Sequence, residues 1–191
     1  MTARTMNLNS RRSILSRRLT KAHMRNLLSV AVAVSLSCFF IGYGLAAQGS
    51  ISMQTAERWD DIATLRLEMA RDHETQAGNV FQGKPANSLD TGDLLDRAGD
   101  EKFLAAENYL MASQQWDKAA RAYLAAGAST EAKKARENIE FTQASAKRSL
   151  SDGIVFHMKA KEQFELSKNL GKKTIALDKV ARNLERLMEM K

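Results

Sequence analysis

The sequence predicts an all-α protein in which an N-terminal transmembrane or signal-anchor helix is followed by a helical domain. Two observations support this prediction. Residues 27–47 form a stretch of 21 residues without a charge, which as a helix spans roughly 30 Å, the thickness of a bilayer's hydrocarbon core. After Pro85, the only proline, alanine and leucine recur at helical spacing and the turn-forming residues come in short groups.

The first 25 residues form a basic arm. Together with the apolar stretch they hold seven Lys and Arg residues, and the first acidic residue is Glu57. By the positive-inside rule, residues 1–25 are expected in the cytosol and residues 26–48 as a transmembrane helix or a signal sequence. Cleavage near Ala47 would instead release the rest of the chain, and an Arg- and Ser-rich arm without acids is also typical of a mitochondrial presequence. The sequence leaves these alternatives open.

The formal net charge of +7 lies entirely in this N-terminal part. Residues 48–191 hold 22 basic and 22 acidic residues, so the charge gives no reason to expect a nucleic-acid partner. Within that part the charge is polarised, with a net −7 over residues 48–117 and a net +7 over residues 118–191. The polarity indicates attraction within the fold or towards a partner, or else a chance clustering on a solvated surface.

Residues 49–76 are predicted to form an amphipathic juxtamembrane helix. Thr55 is a candidate N-cap, and Trp59, Ile62, Leu65 and Met69 form one apolar stripe. We expect this stripe to pack against the distal domain, with a free stalk as the alternative. Residues 77–92 contain three glycines and Pro85, and they are predicted to form a loop or hinge.

The distal domain, residues 93–191, is predicted to consist of several helices of ordinary length. Five short groups of turn formers mark the expected breaks between them. The last helix is expected over residues 174–190, with Thr174 as its N-cap. The expected breaks are Gly99-Asp100, Ser113-Gln114-Gln115, Gly127-Ala128-Ser129, Asp152-Gly153 and Asn169-Leu170-Gly171.

An internal repeat lies in the first half of this domain. Ala105-Ala106-x-x-Tyr109-Leu110 recurs fourteen residues later as Ala119-Ala120-x-x-Tyr123-Leu124. The stretch Gln114-Gln115-Trp116-Asp117-Lys118-Ala119-x-x-x-Tyr123-x-x-Ala126 resembles the turn and second helix of a tetratricopeptide repeat. The resemblance covers residues 101–136 well and residues 101–190 loosely. It implies a domain of helical hairpins that holds partner proteins in a concave face, the alternative being a small α-helical core without a groove.

Five residues are candidates for partner binding. Trp116, Tyr109 and Tyr123 occupy aromatic positions of the repeat-like segment. Leu184 and Leu187 belong to the apolar face of the last helix, whose a/d-like spacing over two heptads is more typical of a core-facing or capping helix than of a coiled coil. If that face is exposed, it becomes the leading candidate for contact with a partner or with a second copy of the chain.

The sequence contains no recognisable catalytic, cofactor or metal site. It has no phosphate-binding loop, and His23, His73 and His157 lie too far apart for a ligand motif. The single cysteine, Cys38, lies in the apolar stretch, so a disulfide within the distal domain is excluded. We therefore expect no catalytic residues, no cofactor and no metal.

These observations predict a non-enzymatic, single-pass membrane-anchored adaptor or assembly subunit of a cell-envelope complex of the secretion or conjugation type. Its distal domain would be extracytoplasmic and would bind other proteins, with self-association as an option. Two alternatives stay open. One is a cleaved periplasmic or secreted helical protein acting as a chaperone or effector, and the other is a subunit of the mitochondrial inner membrane.

Overall fold

The computed structural model describes residues 6–82 and 84–190, with side chains for residues 31–82, 84 and 86–190. Four long helices make up this part: α1 (Met6–Phe81), α2 (Ser88–Ala125), α3 (Ser129–Leu166) and α4 (Leu170–Glu189), with one short 3-10 turn at Pro85–Asn87. No strand occurs in the described residues, and the predicted all-α class is confirmed for them. The chain divides into two compact units, Met1–Leu45 and Ala46–Lys191. We call the second unit the helical domain.

The first unit contains the apolar part of α1. From Ala31 onward, α1 is long and apolar enough to cross a membrane by length and composition, a test that signal sequences also pass. Its hydroxyl groups are satisfied inside the helix, because Ser35 and Ser37 donate hydrogen bonds of 2.8 and 2.9 Å to the carbonyls of Ala31 and Ala33. The large apolar side chains exposed here are Val32, Val34, Leu36, Phe39, Phe40, Ile41 and Tyr43.

In the helical domain, α1 packs through small residues repeated every seven positions. This series is Gly49, Ala56, Ala63, Ala70 and Ala77, all buried. A period of seven keeps these residues on one side of a helix that coils gently around its neighbours. Because none of them carries more than a methyl group, the neighbouring helix backbones can approach closely.

Helix α2 runs antiparallel to α3, and two glycines of α2 receive large rings from it. A Cβ built on Gly92 would lie 2.6 Å from the ring of Phe164, and a Cβ on Gly99 would lie 2.5 Å from the ring of His157. Gly92 and Gly99 are seven residues apart on α2, and Phe164 and His157 are seven residues apart on α3. The two glycines therefore form successive sockets, each of which receives one ring, along a single contact line between the helices. Phe164 and His157 are fully or almost fully buried there.

Three of the five predicted helix breaks are wrong, for one physical reason. Gly99, Ser113 and Gly153 lie inside α2 or α3 and are buried at contacts between helices. At Gly153, an added Cβ would lie 2.8 Å from the amide nitrogen of Asn183 and 3.3 Å from the carbonyl oxygen of Gly99. These small residues therefore allow neighbouring helices to approach closely, and they do not end a helix.

The other two predicted breaks are confirmed. Helix α2 ends before Gly127, which has φ +77°, and the amide of Ala128 donates to the carbonyl of Tyr123 at 2.9 Å, as in a Schellman cap. The break before α4 begins after Lys168 (φ 58°). The N-cap of α4 is Asn169 and not Thr174, because the Asn169 side chain accepts a hydrogen bond from the amide of Lys172 at 3.1 Å.

The predicted loop over residues 77–92 is shorter than expected. Helix α1 continues to Phe81 and α2 already begins at Ser88. The Asn87 side chain donates to the carbonyl of Val80 at 2.6 Å and ties the connection to the end of α1. Thr55 is not an N-cap, since it lies within the continuous helix α1.

The fourteen-residue repeat lies on one helix. Both copies belong to α2, and the predicted turn at Gln114-Gln115-Trp116 is helical. Fourteen residues are two heptads, so Ala105, Ala112 and Ala119 continue a single buried stripe. Hairpins of the tetratricopeptide type are thus not confirmed, and the repeat reflects packing along a long helix.

We predict opposite effects for two Gly→Ala substitutions in helices. Gly99→Ala should lower the free energy of unfolding by about 1–3 kcal/mol, because the added methyl group meets the fully buried ring of His157. Gly78→Ala is the matched control, since no atom lies within 4 Å of its added Cβ, and it should raise stability by about 0.5–1 kcal/mol. Urea unfolding followed by circular dichroism measures both values. A neutral Gly99→Ala variant would contradict the socket.

Candidate functional site: two exposed apolar helix faces

The aromatic candidates are core residues. Tyr109, Trp116 and Tyr123 are 7%, 3% and 7% exposed, so in the described fold they face the core, and partner binding by them stays a prediction. They are buried because the helices meet through small residues, which leaves room between the stripes for rings. The Trp116 indole donates to the Asp60 carboxylate at 3.4 Å. Burial raises the pKa of Asp60, and this hydrogen bond opposes the shift.

The large apolar residues of α1 face outward. Ile62, Leu65 and Met69 are 39%, 59% and 44% exposed, so the expected packing of this stripe against the distal domain is wrong. Trp59 alone is partly buried against the core. The alanine series occupies the inner side of α1, and the bulkier side chains are left outside. With Ile51, these three residues form what we call the α1 face.

A second apolar face runs along α4. Leu184 is 45% exposed, whereas Leu187 is partly buried and packs against the core near Tyr109. The exposed side of α4 also carries Leu170, Leu177 and Met188, with exposures between 40% and 70%. These four exposed residues form what we call the α4 ridge. Leu184 therefore remains a candidate for an interaction surface on α4, whereas Leu187 packs mainly within the fold.

A buried polar cluster joins α2, α3 and α4 behind this ridge. The His157 ring is fully buried, with Nδ1 2.9 Å from a carboxylate oxygen of Asp96 and Nε2 3.8 Å from Asp100. The Lys179 ammonium donates to both Asp96 and Asp100 at 2.6 Å. His157 is therefore a core histidine held beside two acidic side chains of α2.

The charges of this cluster support one another. Burial opposes ionisation of Asp96, but hydrogen bonds from His157 and Lys179 outweigh it and lower the pKa of Asp96. Burial likewise opposes the charge on Lys179, while its two carboxylate partners raise the pKa of Lys179. The pair therefore stays ionised over the neutral range. The Lys179 ammonium and the Arg182 guanidinium, which lies 3.5 Å from Asp100, together balance the two carboxylates, which makes the cluster a structural device and a poor cation site.

Ion pairs fix α4 alongside α2. Lys172 pairs with Asp93 at 2.6 Å, and Arg186 contacts both carboxylate oxygens of Glu107 at 2.7 and 3.2 Å. The acidic partners lie in the negative segment of the sequence and the basic partners in the positive one. The charge polarity of the sequence is thus used within the fold.

Asn183 is the least satisfied polar group in this region. Its side chain is fully buried between α4 and α3, and neither its amide oxygen nor its nitrogen has a hydrogen-bond partner within the described residues. The neighbouring contact with Gly153 leaves little space around it. Asn183 therefore lowers stability relative to an apolar residue of the same shape.

A shallow groove of about 600 Å³ lies between α1, α2 and α3. Its walls mix acidic and basic side chains, among them Glu68, Arg71, Lys102 and Asp152, with the exposed ring of Phe141 at one side. Lys102 is held by Asp152 at 3.0 Å. No group of three His, Cys, Asp or Glu side chains suited to a metal occurs in the part of the chain that the structure describes.

Comparison with known proteins adds no assignment. No family model matches the chain, and no curated protein or solved structure matches it either. Function must therefore be argued from the two apolar faces and the apolar segment of α1. The sequence shows Ile62, Leu65 and Met69 as one stripe but does not by itself show that the stripe is exposed, although the spacing of the alanines from Ala56 to Ala77 could have revealed which side of α1 is buried.

We predict that Asn183→Leu preserves or increases stability. Leucine has the same branching at Cγ, and the substitution removes two buried polar atoms without partners, so the free energy of unfolding should stay the same or rise by up to about 3 kcal/mol, with the larger volume of leucine offsetting part of the gain. Thermal unfolding measures the change. Asn183→Ala is the control for shape, because it removes the same polar atoms but leaves a cavity and should be less stable than Asn183→Leu. A marked loss with leucine would show that Asn183 has a polar partner.

Proposed function

We propose that this protein is a non-enzymatic, single-pass membrane-anchored assembly subunit of a cell-envelope complex. Its N-terminal arm lies in the cytosol, its helical domain lies on the opposite side of the membrane, and the α1 face binds an apolar helix of another membrane-bound subunit. The observation that carries this proposal is the α1 face itself, which lies on the same helix as the apolar segment.

Two features of the apolar segment support the membrane anchor. Large apolar side chains from Val32 to Tyr43 are exposed, which is costly in water and favourable in lipid. The hydroxyls of Ser35 and Ser37 are bonded to the helix backbone, as a segment in lipid requires. The basic arm before this segment supports a cytosolic N-terminus.

The α1 face supports binding of a helical partner. Ile62, Leu65 and Met69 follow the three- and four-residue spacing by which one helix presents an apolar side to another. The face takes no part in the core, since the opposite side of α1 packs through Ala63 and Ala70. A contiguous exposed apolar stripe is typical of an interaction site, whereas single scattered apolar residues are common on any protein surface.

Export after cleavage is the alternative function. The first residue of α1 that is buried in the helical domain is Gly49, whose added Cβ would meet the ring of Tyr123 at 3.0 Å. Cleavage near Ala47 leaves this contact intact. The released product would be a periplasmic or secreted helical protein, and a mitochondrial inner-membrane subunit would retain the anchor in another membrane.

We predict that residues 27–47 remain attached to the mature protein. After expression of the full chain with a C-terminal tag, the tagged species should keep its N-terminal arm and resist extraction from membranes by alkaline carbonate, because a spanning helix is held by its burial in lipid. Intact-mass measurement and N-terminal sequencing determine the start. A mature protein beginning near Ala47 or Gln48 would refute the anchor and favour export.

We predict that a photo-crosslinking residue placed at Met69 captures one or two discrete membrane proteins in cells. Met69 is exposed in the middle of the α1 face and a bound helix would cover it. Immunoblotting and mass spectrometry of the adducts identify the partner. Since side chains advance by about 100° per residue, Thr64 lies roughly 140° round the helix from Met69 and serves as the matched exposed control.

The comparison between these two positions decides the proposal. Adducts from Met69 and none from Thr64 support partner binding by the α1 face. Equal adducts from both positions, or none from Met69 while the protein is in the membrane, would contradict it. Leu65→Lys should abolish the Met69 adducts and leave the helical content unchanged, because Leu65 is exposed and outside the core.

A further inference from the structure

The α4 ridge has a heptad pattern that the fold leaves open. Leu170, Leu177 and Leu184 are spaced by seven, and Thr174, Ala181 and Met188 follow each of them by four. All six side chains are exposed, so Thr174 and Ala181 lie on the same exposed side of α4 as the four residues of the ridge. Leucine at position d of each heptad is the choice that favours two-stranded coiled coils, and Thr174 supplies one β-branched residue at position a.

The fold already uses the other side of α4. Ala176 and Asn183 are fully buried, and Lys172, Lys179 and Arg186 pair with acids of α2. Helix α4 is therefore held in place before any partner arrives. A partner that meets the ridge therefore does not have to supply the free energy of forming the helix.

We propose that the α4 ridge binds the α4 ridge of a second copy of this chain in a parallel pair. Charge placement selects both the partner and the direction. Lys173 lies at position g and Asp178 at position e, so in a parallel pair Lys173 of each copy faces Asp178 of the other. An antiparallel pair would instead place Asp178 against Asp178 and offer Lys173 only the apolar Leu187.

Of the two side chains needed for this contact, Asp178 is exposed and Lys173 is 26% exposed. Asp178 forms no ion pair within the described part of the chain, and Lys173 contacts only the half-exposed Glu165, at 3.0 Å. That surface pair is worth little, so Lys173 can also serve the second copy. Each chain thus offers one cation and one anion to its neighbour, and the two-fold symmetry of the dimer produces two Lys173–Asp178 pairs.

The membrane anchor makes a parallel pair favourable. This step depends on the proposed function. The ridge covers about 27 Å of helix, which gives an interface smaller than that of a stable soluble dimer. Two copies anchored in one membrane share an orientation and a raised effective concentration, so a weak parallel contact is populated there.

Disulfide trapping tests the pair in the full-length chain in membranes. In a Cys38→Ser background, Met188→Cys should form a disulfide-linked dimer on mild oxidation, because position 188 faces itself only in a parallel pair. Phe141→Cys is the matched control: Phe141 and Met188 are both 64% exposed, but Phe141 lies on α3 beside the shallow groove. The Met188→Cys dimer should exceed the Phe141→Cys dimer severalfold.

Charge exchange tests the specificity of the same contact. Asp178→Lys should reduce the Met188→Cys dimer, and adding Lys173→Glu should restore it, because the two reciprocal pairs are then reversed. A purely structural role for either residue would not produce this rescue. Circular dichroism of each variant checks that the helical content is retained.

Three outcomes would overturn the proposal. One is equal dimer from Met188→Cys and Phe141→Cys. Another is a dimer that needs Leu170→Cys in one copy and Met188→Cys in the other, which indicates an antiparallel pair. The last is disulfide formation only with proteins other than this chain. None of these depends on the α1 face, so Met69 adducts that persist would separate failure of the pair from failure of the proposed function.

Discussion

The helical domain depends on close contact between helices through small residues at every seventh position. On α1 these are Gly49 and a series of alanines from Ala56 to Ala77, all buried. Each alanine buries little apolar area, so the contact is stabilised by the many atom pairs that close backbone approach allows. Long helices follow from this, because a stripe of weak contacts must extend over many turns. The lengths of α2 and α3, 38 residues each, agree with that requirement.

Packing through alanine determines what the surface carries. When the inner side of a helix is reserved for small residues, large apolar residues lie between the stripes or on the outside. Trp116 and Tyr109 lie between the stripes, and Leu65 and Leu184 lie on the outside. The apolar faces of α1 and α4 are thus not failures of the core. They follow from helix contacts made through small side chains, and they leave apolar surfaces open to other helices.

The sequence predicted the class of the fold better than the site. The apolar segment, the all-α class and the turns at Gly127 and Asn169 were readable, because each depends on local composition. Gly99 and Gly153 were misread as breaks, since a glycine that admits a neighbouring ring looks the same in sequence as a glycine that ends a helix. The burial of Trp116 was missed likewise, because an aromatic residue among alanines has the same spacing in a repeat hairpin and in a heptad core.

A stripe of identical residues leaves the register of the helices undefined. Sliding α3 along α2 by one heptad, about 10 Å, would again place small residues opposite one another. The sockets oppose a slide towards the C-terminal end of α2, and the buried polar cluster opposes a slide in either direction. The His157 ring fits over Gly99 because glycine has no Cβ. One heptad further along α2, the ring would meet the methyl group of Ala106. In that shifted register the Asp96 carboxylate would also lose His157, one of the partners that offset its burial. The buried polar cluster thus costs some stability and in return selects one register, which is the role that polar residues play in coiled-coil cores.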